Sequence, residues 1–143
     1  MGYRELSFGG KVYMGRVLRG EDLLLSLTRV VEELNISAGK IEGIGALEHA
    51  CVGYYNQQRR SYQWIEVDEP VEVVSFGGNI SFKEKSPFIH AHVVLADSRG
   101  RCVGGHVGEG CRVFAFEYMI FPFEGHALNR EMDIDSGLYL WNI

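Results

Sequence analysis

Three of the five histidines in the chain fall within one short stretch that has the pattern of a β-hairpin. The stretch from Phe88 to Gly110 reads FIHAHVVLADSRGRCVGGHVGEG. Its first arm, Ile89 to Ala96, is β-branched and apolar apart from the histidines, and its second arm runs from Arg101 to Val107. The residues from Asp97 to Gly100 are typical of a turn. The pattern therefore predicts two antiparallel strands that carry the three imidazole rings.

The length of the turn decides whether the three rings share a face of the hairpin. His90 and His92 share one, about 7 Å apart along the strand, because side chains alternate across a strand. A two-residue turn at Ser98-Arg99 would place His106 on the opposite face.

A three-residue turn, Ser98-Arg99-Gly100, instead places His106 directly opposite His92, with β-carbons about 5 Å apart. We favour this turn because glycine adopts a positive φ angle without steric cost. The pair Gly104-Gly105 leaves room for a bulge, which would either disturb this register or direct the ring of His106 inward.

Three imidazoles on one face can bind a single divalent ion. A lone histidine in a strand is usually solvated or hydrogen-bonded, but three neighbouring rings without a metal would compete for few partners. Three neutral nitrogen ligands and an open fourth position are typical of a catalytic or exchangeable zinc site. We therefore predict that His90, His92 and His106 bind Zn²⁺ or another divalent transition metal.

The size and charge of the chain exclude some classes of function. With 143 residues, 46% of them hydrophobic, it is long enough for one domain, which we assign to residues 1–143. A formal net charge of −5 gives no electrostatic attraction to nucleic acid or to an anionic membrane. The N-terminal segment MGYRELSFGG does not resemble a signal peptide and no apolar run is long enough to span a membrane, so we expect a cytoplasmic protein with no membrane partner.

The three cysteines, Cys51, Cys102 and Cys111, form no CxxC pair, and we expect reduced, mostly buried thiols.

The remaining pattern predicts one helix and many strands. The helix covers EDLLLSLTRVVEELN, residues 21–35, and we expect it to cover one face of a sheet. Strands are predicted over 11–18, 38–44, 47–56, 62–67, 71–82, 112–121 and 137–143. We interpret Gly43-Ile44-Gly45 as a tight corner between two strands, because a dinucleotide-binding fingerprint would need a third glycine and a following helix. This is an α+β fold, an antiparallel, open barrel-like sheet flanked by one main helix. Its apolar surplus indicates a subunit interface.

Several motifs taken together resemble the plants-and-prokaryotes-conserved (PPC) domain in its stand-alone prokaryotic form. They are GRVLRGEDLLLSL at 15–27, GIGAL at 43–47 with the strand ending in VGYYN, VEVVSFGGNIS at 71–81, PFIHAHVVLAD at 87–97 and GGHVGEG at 104–110. The resemblance covers a core of about residues 8–122, which leaves 123–143 as a C-terminal extension. It implies a homotrimer, a fold similar to that of acetolactate decarboxylase, and metal ligation by the HxH and GGH histidines, which are His90, His92 and His106 here.

In plants the PPC domain accompanies AT-hook motifs that bind AT-rich DNA, and by that association the prokaryotic proteins carry a provisional DNA-binding label. An AT-hook needs an Arg-Gly-Arg-Pro core in a flexible basic segment. Arg99-Gly100-Arg101 copies three of these residues, but Cys102 replaces the proline and the tripeptide is needed for the hairpin turn. We interpret QQRR at 57–60 as a solvated loop.

Three functions remain open: a binding or regulatory module, a zinc-dependent lyase or hydrolase that acts on a small anionic substrate, and a trimer held together by a structural metal. The enzyme would need an acid or base near the metal. Glu109 is the nearest candidate in sequence, with Glu48 and Glu117 as others, and Arg112 could bind a substrate carboxylate. His49 and His126 have the sequence context of surface residues rather than ligands.

Overall fold

The computed structural model describes residues 5–143, so the first four residues of the N-terminal segment analysed above lie outside it. One helix, α1, spans Leu23–Glu33. The strands are β1 (Ser7–Phe8), β2 (Tyr13–Val17), β3 (Gly39–Asn56), β4 (Ser61–Val67), β5 (Val71–Lys83), β6 (Ser86–Ala96), β7 (Cys102–Val107), β8 (Arg112–Glu124), β9 (Asn129–Asp133) and β10 (Leu138–Trp141). The predicted α+β class is confirmed. None of the helices in residues 5–143 combines the length and apolar character needed to cross a membrane.

Helix α1 is capped by Asp22 and covers the sheet with its apolar stripe. The Asp22 carboxylate accepts a hydrogen bond from the Leu25 amide at 2.9 Å and another from the Gly110 amide at 2.6 Å. Its first residue, Leu23, and one residue from each following turn, Leu27 and Val31, are fully buried. The cap thus ties the start of the helix to the turn that follows β7.

Strand β3 is longer than the sequence pattern indicated. The predicted corner at Gly43-Ile44-Gly45 is wrong, because the chain continues as one strand from Gly39 to Asn56. A shift in register between Gly43 and Gly45, in the pairing with β5, takes the place of the corner. Continuous pairing with β8 on its other edge explains why the strand does not end there.

The sheet is barrel-like, as predicted, but it closes on itself through four strands, whereas the prediction was an open sheet. The first half of β3 pairs with β5, β5 pairs with β6, β6 pairs with β7, and β7 returns to β3 at Val52 and Gly53. The largest fully buried side chains of the sheet are those of Phe116, Ile41, Leu47, Leu95 and Ile120. This closure brings β4, which pairs with the second half of β3, close to the β6–β7 hairpin.

The C-terminal residues form a further hairpin, β9–β10, of which the sequence analysis predicted only the second strand. Strand β10 corresponds to the predicted last strand, whereas β9 was not predicted. Strand β9 pairs in parallel with β5 through Phe82 with Asn129 and Lys83 with Arg130. The sheet is therefore mixed rather than wholly antiparallel, and the extension lies beside the start of the histidine hairpin.

Candidate metal centre and its cleft

The β6–β7 turn has the three-residue form that the sequence favoured. The Asp97 amide donates to the Arg101 carbonyl at 3.0 Å, and Gly100 has a φ of 75°. The Asp97 carboxylate accepts hydrogen bonds from the amides of Arg99 and Arg101 at 2.8 and 3.0 Å. These amide contacts hold the pKa of Asp97 below its ordinary value. The turn is therefore stabilised both by its glycine and by an aspartate that bridges it.

The register that follows from this turn puts His92 opposite His106. No bulge occurs at the glycine pair, since Gly104 pairs with Val94 and Gly105 with Val93 in regular order. A Cβ at Gly105 would lie 2.5 Å from the Gly53 carbonyl oxygen. Glycine is therefore required here because β7 approaches β3 closely.

The three predicted histidines converge. Each of His90, His92 and His106 offers a ring nitrogen, and the three atoms lie within 4.8 Å of one another. The Nε2 atoms of His90 and His92 are 3.3 Å apart. Ring centroids are separated by 5.1 Å for His90 with either neighbour and by 5.7 Å for His92 with His106. The three rings are therefore close enough together to be candidate ligands of a single ion.

The surroundings of His90 and His106 favour the neutral ring, which is the form that binds a metal. Burial lowers the pKa of His106 to about 4, and electrostatic repulsion from His90, His92 and Arg130, which disfavours a further positive charge, adds to the effect. Burial and the charge of Arg130 also lower the pKa of His90. The buried Nδ1 of His106 has no hydrogen-bond partner among the described residues, which is costly for a polar atom. An unsatisfied nitrogen in a cluster of three imidazoles fits a divalent transition metal.

The histidines line a cleft of about 710 Å³ between strand β4, the histidine hairpin and the C-terminal hairpin. The ring of Tyr62 packs on the ring of His106, with centroids 5.0 Å apart, and the centroid of the Trp64 ring lies 6.2 Å from that of His106. Burial raises the pKa of Tyr62. The other side of the cleft is formed by Arg130, Tyr139 and their neighbours in β9 and β10. The cleft gives small molecules access to the histidine cluster.

The C-terminal side of the cleft was missed by sequence reasoning. Arg130 is only 7% exposed, and the cleft also includes Lys83 and Arg60. Residues 123–143 show no strong periodicity, and nothing local indicates that Arg130 returns to β5. The only available signal was the arginine itself, in the segment NREMD at 129–133, which has a single apolar residue.

The residues proposed for acid, base or carboxylate-binding roles lie elsewhere. Glu109 is exposed in the turn after β7, and Arg112 forms an ion pair with Glu48 at 3.1 Å. Arg19 binds the same carboxylate at 2.8 Å and is the main cause of the lowered pKa of Glu48. Glu117 lines a different cleft on β8. These four residues are all outside the lining of the histidine cleft.

The two remaining histidines stand apart from the cluster. His49 lies between Glu66 and Asp68, at 2.6 and 3.2 Å, and His126 is exposed. Cys51 and Cys111 are buried free thiols, whereas Cys102 is exposed. The predicted burial is therefore confirmed for two of the three thiols.

Comparison with known proteins gives one family. The family model described as the Plants and Prokaryotes Conserved (PCC) domain matches residues 5–124. The chain is similar to a metal-containing protein from Archaeoglobus fulgidus, with 38% identity, coverage of 99% of both chains and a TM-score of 0.94. It is also similar to a plant- and prokaryote-conserved (PPC) protein from Pyrococcus horikoshii, with 33% identity, coverage of 100% of this chain and 98% of the other, and a TM-score of 0.92.

More distant similarities extend the comparison. A protein from Bacteroides thetaiotaomicron that bears a provisional DNA-binding name shares the fold at 22% identity, with 96% of each chain covered and a TM-score of 0.86. The curated relatives include the bifunctional protein GlmU of a Synechococcus strain, 27% identical over 129 residues. Those residues are 89% of this chain but only 19% of that protein, so the chain spans about a fifth of the length of this relative.

Proposed function

The chain belongs to the Plants and Prokaryotes Conserved domain family, and on that premise we propose that it is a zinc-binding, homotrimeric member of the family. In this proposal His90, His92 and His106 together bind one zinc ion or a related divalent ion. The observation that carries it is the convergence of three ring nitrogens within 4.8 Å in the lining of a cleft. We further propose that residues 1–143 act as one cytoplasmic domain.

Two further observations support the metal. The unsatisfied Nδ1 of His106 and the lowered pKa of its ring describe a neutral imidazole that lacks a partner. The similar protein from Archaeoglobus fulgidus is described as metal-containing. Three histidine ligands leave a further coordination position for water or a ligand.

Metal analysis of the purified full-length protein tests this proposal. We expect close to one zinc ion per chain after loading, and loss of that ion in His92→Ala. His126→Ala is the matched control, because it removes an exposed histidine outside the cluster and should keep the metal. Equal metal content in the two variants would contradict the assignment.

The homotrimer is supported by exposed apolar side chains. Met14, Ile44 and Val74 are 78%, 59% and 55% exposed, and they line one cleft of about 660 Å³ on the outer face of the sheet. A contiguous apolar surface of this kind usually becomes a subunit interface. We propose that this surface joins the copies of the chain.

A second candidate is a zinc-dependent lyase or hydrolase that acts on a small anionic substrate, and the cleft beside the histidines favours it. A bound zinc ion would polarise a carbonyl group or activate water at the open position. Because Glu109 and Arg112 lie outside the cleft, the residues that bind and orient such a substrate would be those of the cleft itself. The alternative of a DNA-binding or regulatory module depends on names given to relatives and is tested below.

A further inference from the structure

Arg130 is a buried cation that lies next to the histidine cluster. It is 7% exposed and lines the same cleft as the three histidines. Its Nη2 atom donates to Asn79 Oδ1 at 2.7 Å, and Asn79 is directly opposite His90 across β5 and β6. Its guanidinium carbon also lies 5.4 Å from the centroid of the Phe88 ring, two residues before His90. The guanidinium therefore adjoins the metal-binding face of β6.

The described partners of Arg130 are all neutral. Nε donates to Ser81 Oγ at 2.9 Å, and Nη1 donates to the Tyr139 carbonyl at 3.1 Å. With the bond to Asn79, these account for three of the five guanidinium N–H groups. No carboxylate in residues 5–143 forms an ion pair with Arg130. A buried charge without a counter-ion is costly, and burial accordingly lowers the pKa of Arg130.

The other charged residues that line the cleft are positive, like Arg130. Lys83 and Arg60 also line it, and its described lining includes no aspartate or glutamate. The ammonium group of Lys83 is held 4.0 Å from the centroid of the Tyr139 ring. This cationic cleft occurs in a chain whose formal net charge is −5. Its charge therefore reflects local placement of cations rather than overall composition.

We propose that the cleft binds a small organic carboxylate, whose carboxylate group is the missing counter-ion of Arg130. The inference rests on the proposed function, because it places the ligand beside the proposed zinc site. Each terminal nitrogen of Arg130 keeps one N–H group without a described partner, which suits two-point binding of a planar carboxylate. Lys83 supplies a second positive charge, and the rings of Tyr62, Tyr139 and Phe88 contact the carbon skeleton. Arg130 is a binding and positioning residue in this proposal.

Calorimetric titration of the zinc-loaded, full-length protein tests the class of ligand. The probes are acetate, succinate and benzoate, each paired with its neutral amide, and inorganic phosphate. We expect saturable binding of at least one carboxylate and roughly tenfold weaker binding of its amide, because a charge-assisted hydrogen bond contributes more than a neutral one. Failure of all three carboxylates to bind, equal affinity of acids and amides, or binding of phosphate alone would overturn the proposal.

Variants at Arg130 test the residue. Arg130→Lys keeps the charge but loses two-point binding, and Arg130→Met loses both, so affinity for the carboxylate should fall roughly tenfold or more in Arg130→Met and by less in Arg130→Lys. Arg112→Met is the matched control, since it removes an arginine outside the cleft and should leave the affinity unchanged. Equal affinities in Arg130→Met and wild-type protein would overturn the assignment. If Arg130→Met does not fold, Lys83→Met decides: a weaker carboxylate affinity supports the cationic cleft, and an unchanged one counts against it.

Zinc binding and carboxylate binding are measured separately. Zinc content is measured on every sample, and the titration is repeated after chelator treatment while fluorescence of Trp141, whose ring lies 5.4 Å from Arg130, is followed in a Trp64→Phe background. Arg130-dependent binding in a protein that never retains zinc would refute the proposed zinc site and support the carboxylate site. Stoichiometric zinc binding without Arg130-dependent binding of a carboxylate would support the zinc site and refute the carboxylate site.

Discussion

His92 and His106 are directly opposite each other across the β6–β7 hairpin, although fourteen positions separate them in the chain. This pairing depends on the three-residue turn, and the turn depends on Gly100 at a φ of 75°. The arrangement of the proposed metal site is therefore connected to the backbone conformation of one glycine at the far end of the hairpin.

Gly100→Ala should destabilise the protein by about 1 kcal/mol, because a left-handed backbone is unfavourable for a residue with a Cβ. A Cβ at this position would meet no atom within 4 Å, so the cost should come from the backbone alone. Gly100→Asn should cost less, since asparagine tolerates this conformation. Urea unfolding of the three proteins measures the difference, and a stability order with alanine equal to glycine would contradict the turn assignment.

Protonation of His106 should destabilise the metal-free protein at acidic pH. Its pKa falls from an ordinary 6.5 to about 4 in the folded chain, so the unfolded chain binds more protons between these values. The contribution of the neutral His106 ring to the free energy of unfolding is complete above about pH 6.5 and is lost as the pH falls toward 4. Allowing for solvent screening, we expect a loss of at most about 2 kcal/mol.

Denaturant unfolding of chelator-treated protein from pH 7 to pH 4 measures this loss. His106→Gln lacks the titrating ring and is the control, so its stability should change less over the same range. Parallel pH profiles for the two proteins would show that another group is responsible.

Much of the candidate site could be predicted because it depends on local rules. Alternation along β6 put His90 and His92 on one face, and the turn sequence fixed the register of His106. Arg130 could not be found in the same way. Its place depends on a parallel pairing of β9 with β5, which lies more than forty residues earlier and leaves no periodic signal in the sequence.

The same limitation explains two other differences. Arg112 has the residue type expected to bind a substrate carboxylate, but the pairing of His49 with Arg112 places it beside Glu48, on another part of the sheet. The GIGAL motif has the composition of a corner, but β8 and β5 pair with β3 on its two edges and keep it extended. Local sequence suggested a binding role for Arg112 and a corner for GIGAL, whereas long-range strand pairing decided the structure of both segments.

The proposed subunit interface predicts a mass of three chains in solution. Light scattering at low micromolar concentration should give three times the 16.1 kDa chain mass for the wild-type protein. Ile44→Glu should lower this mass, because it would bury a charge in the interface. Ile134→Glu is the control, since Ile134 is 83% exposed and lies outside that cleft. A monomeric wild-type protein would contradict the proposal.

The isolated protein should bind duplex DNA weakly or not at all, despite the provisional label carried by its relatives. Affinity for DNA depends largely on cations that neutralise phosphates, and this chain has 14 lysines and arginines against 19 acidic residues. Several of those cations are already paired: Arg19 and Arg112 share Glu48, and Arg101 binds Asp97.

The alternative is a basic ring formed by Lys83, Lys85 and Arg99 from three subunits. Titration against AT-rich and GC-rich duplexes at two salt concentrations distinguishes the two cases, because binding through phosphates weakens steeply as salt rises. We expect no sub-micromolar binding near physiological ionic strength. Tight, salt-sensitive binding with a preference for AT-rich duplex would refute this prediction. Loss of that binding in Lys85→Glu, together with its retention in Glu109→Lys, would establish the basic ring.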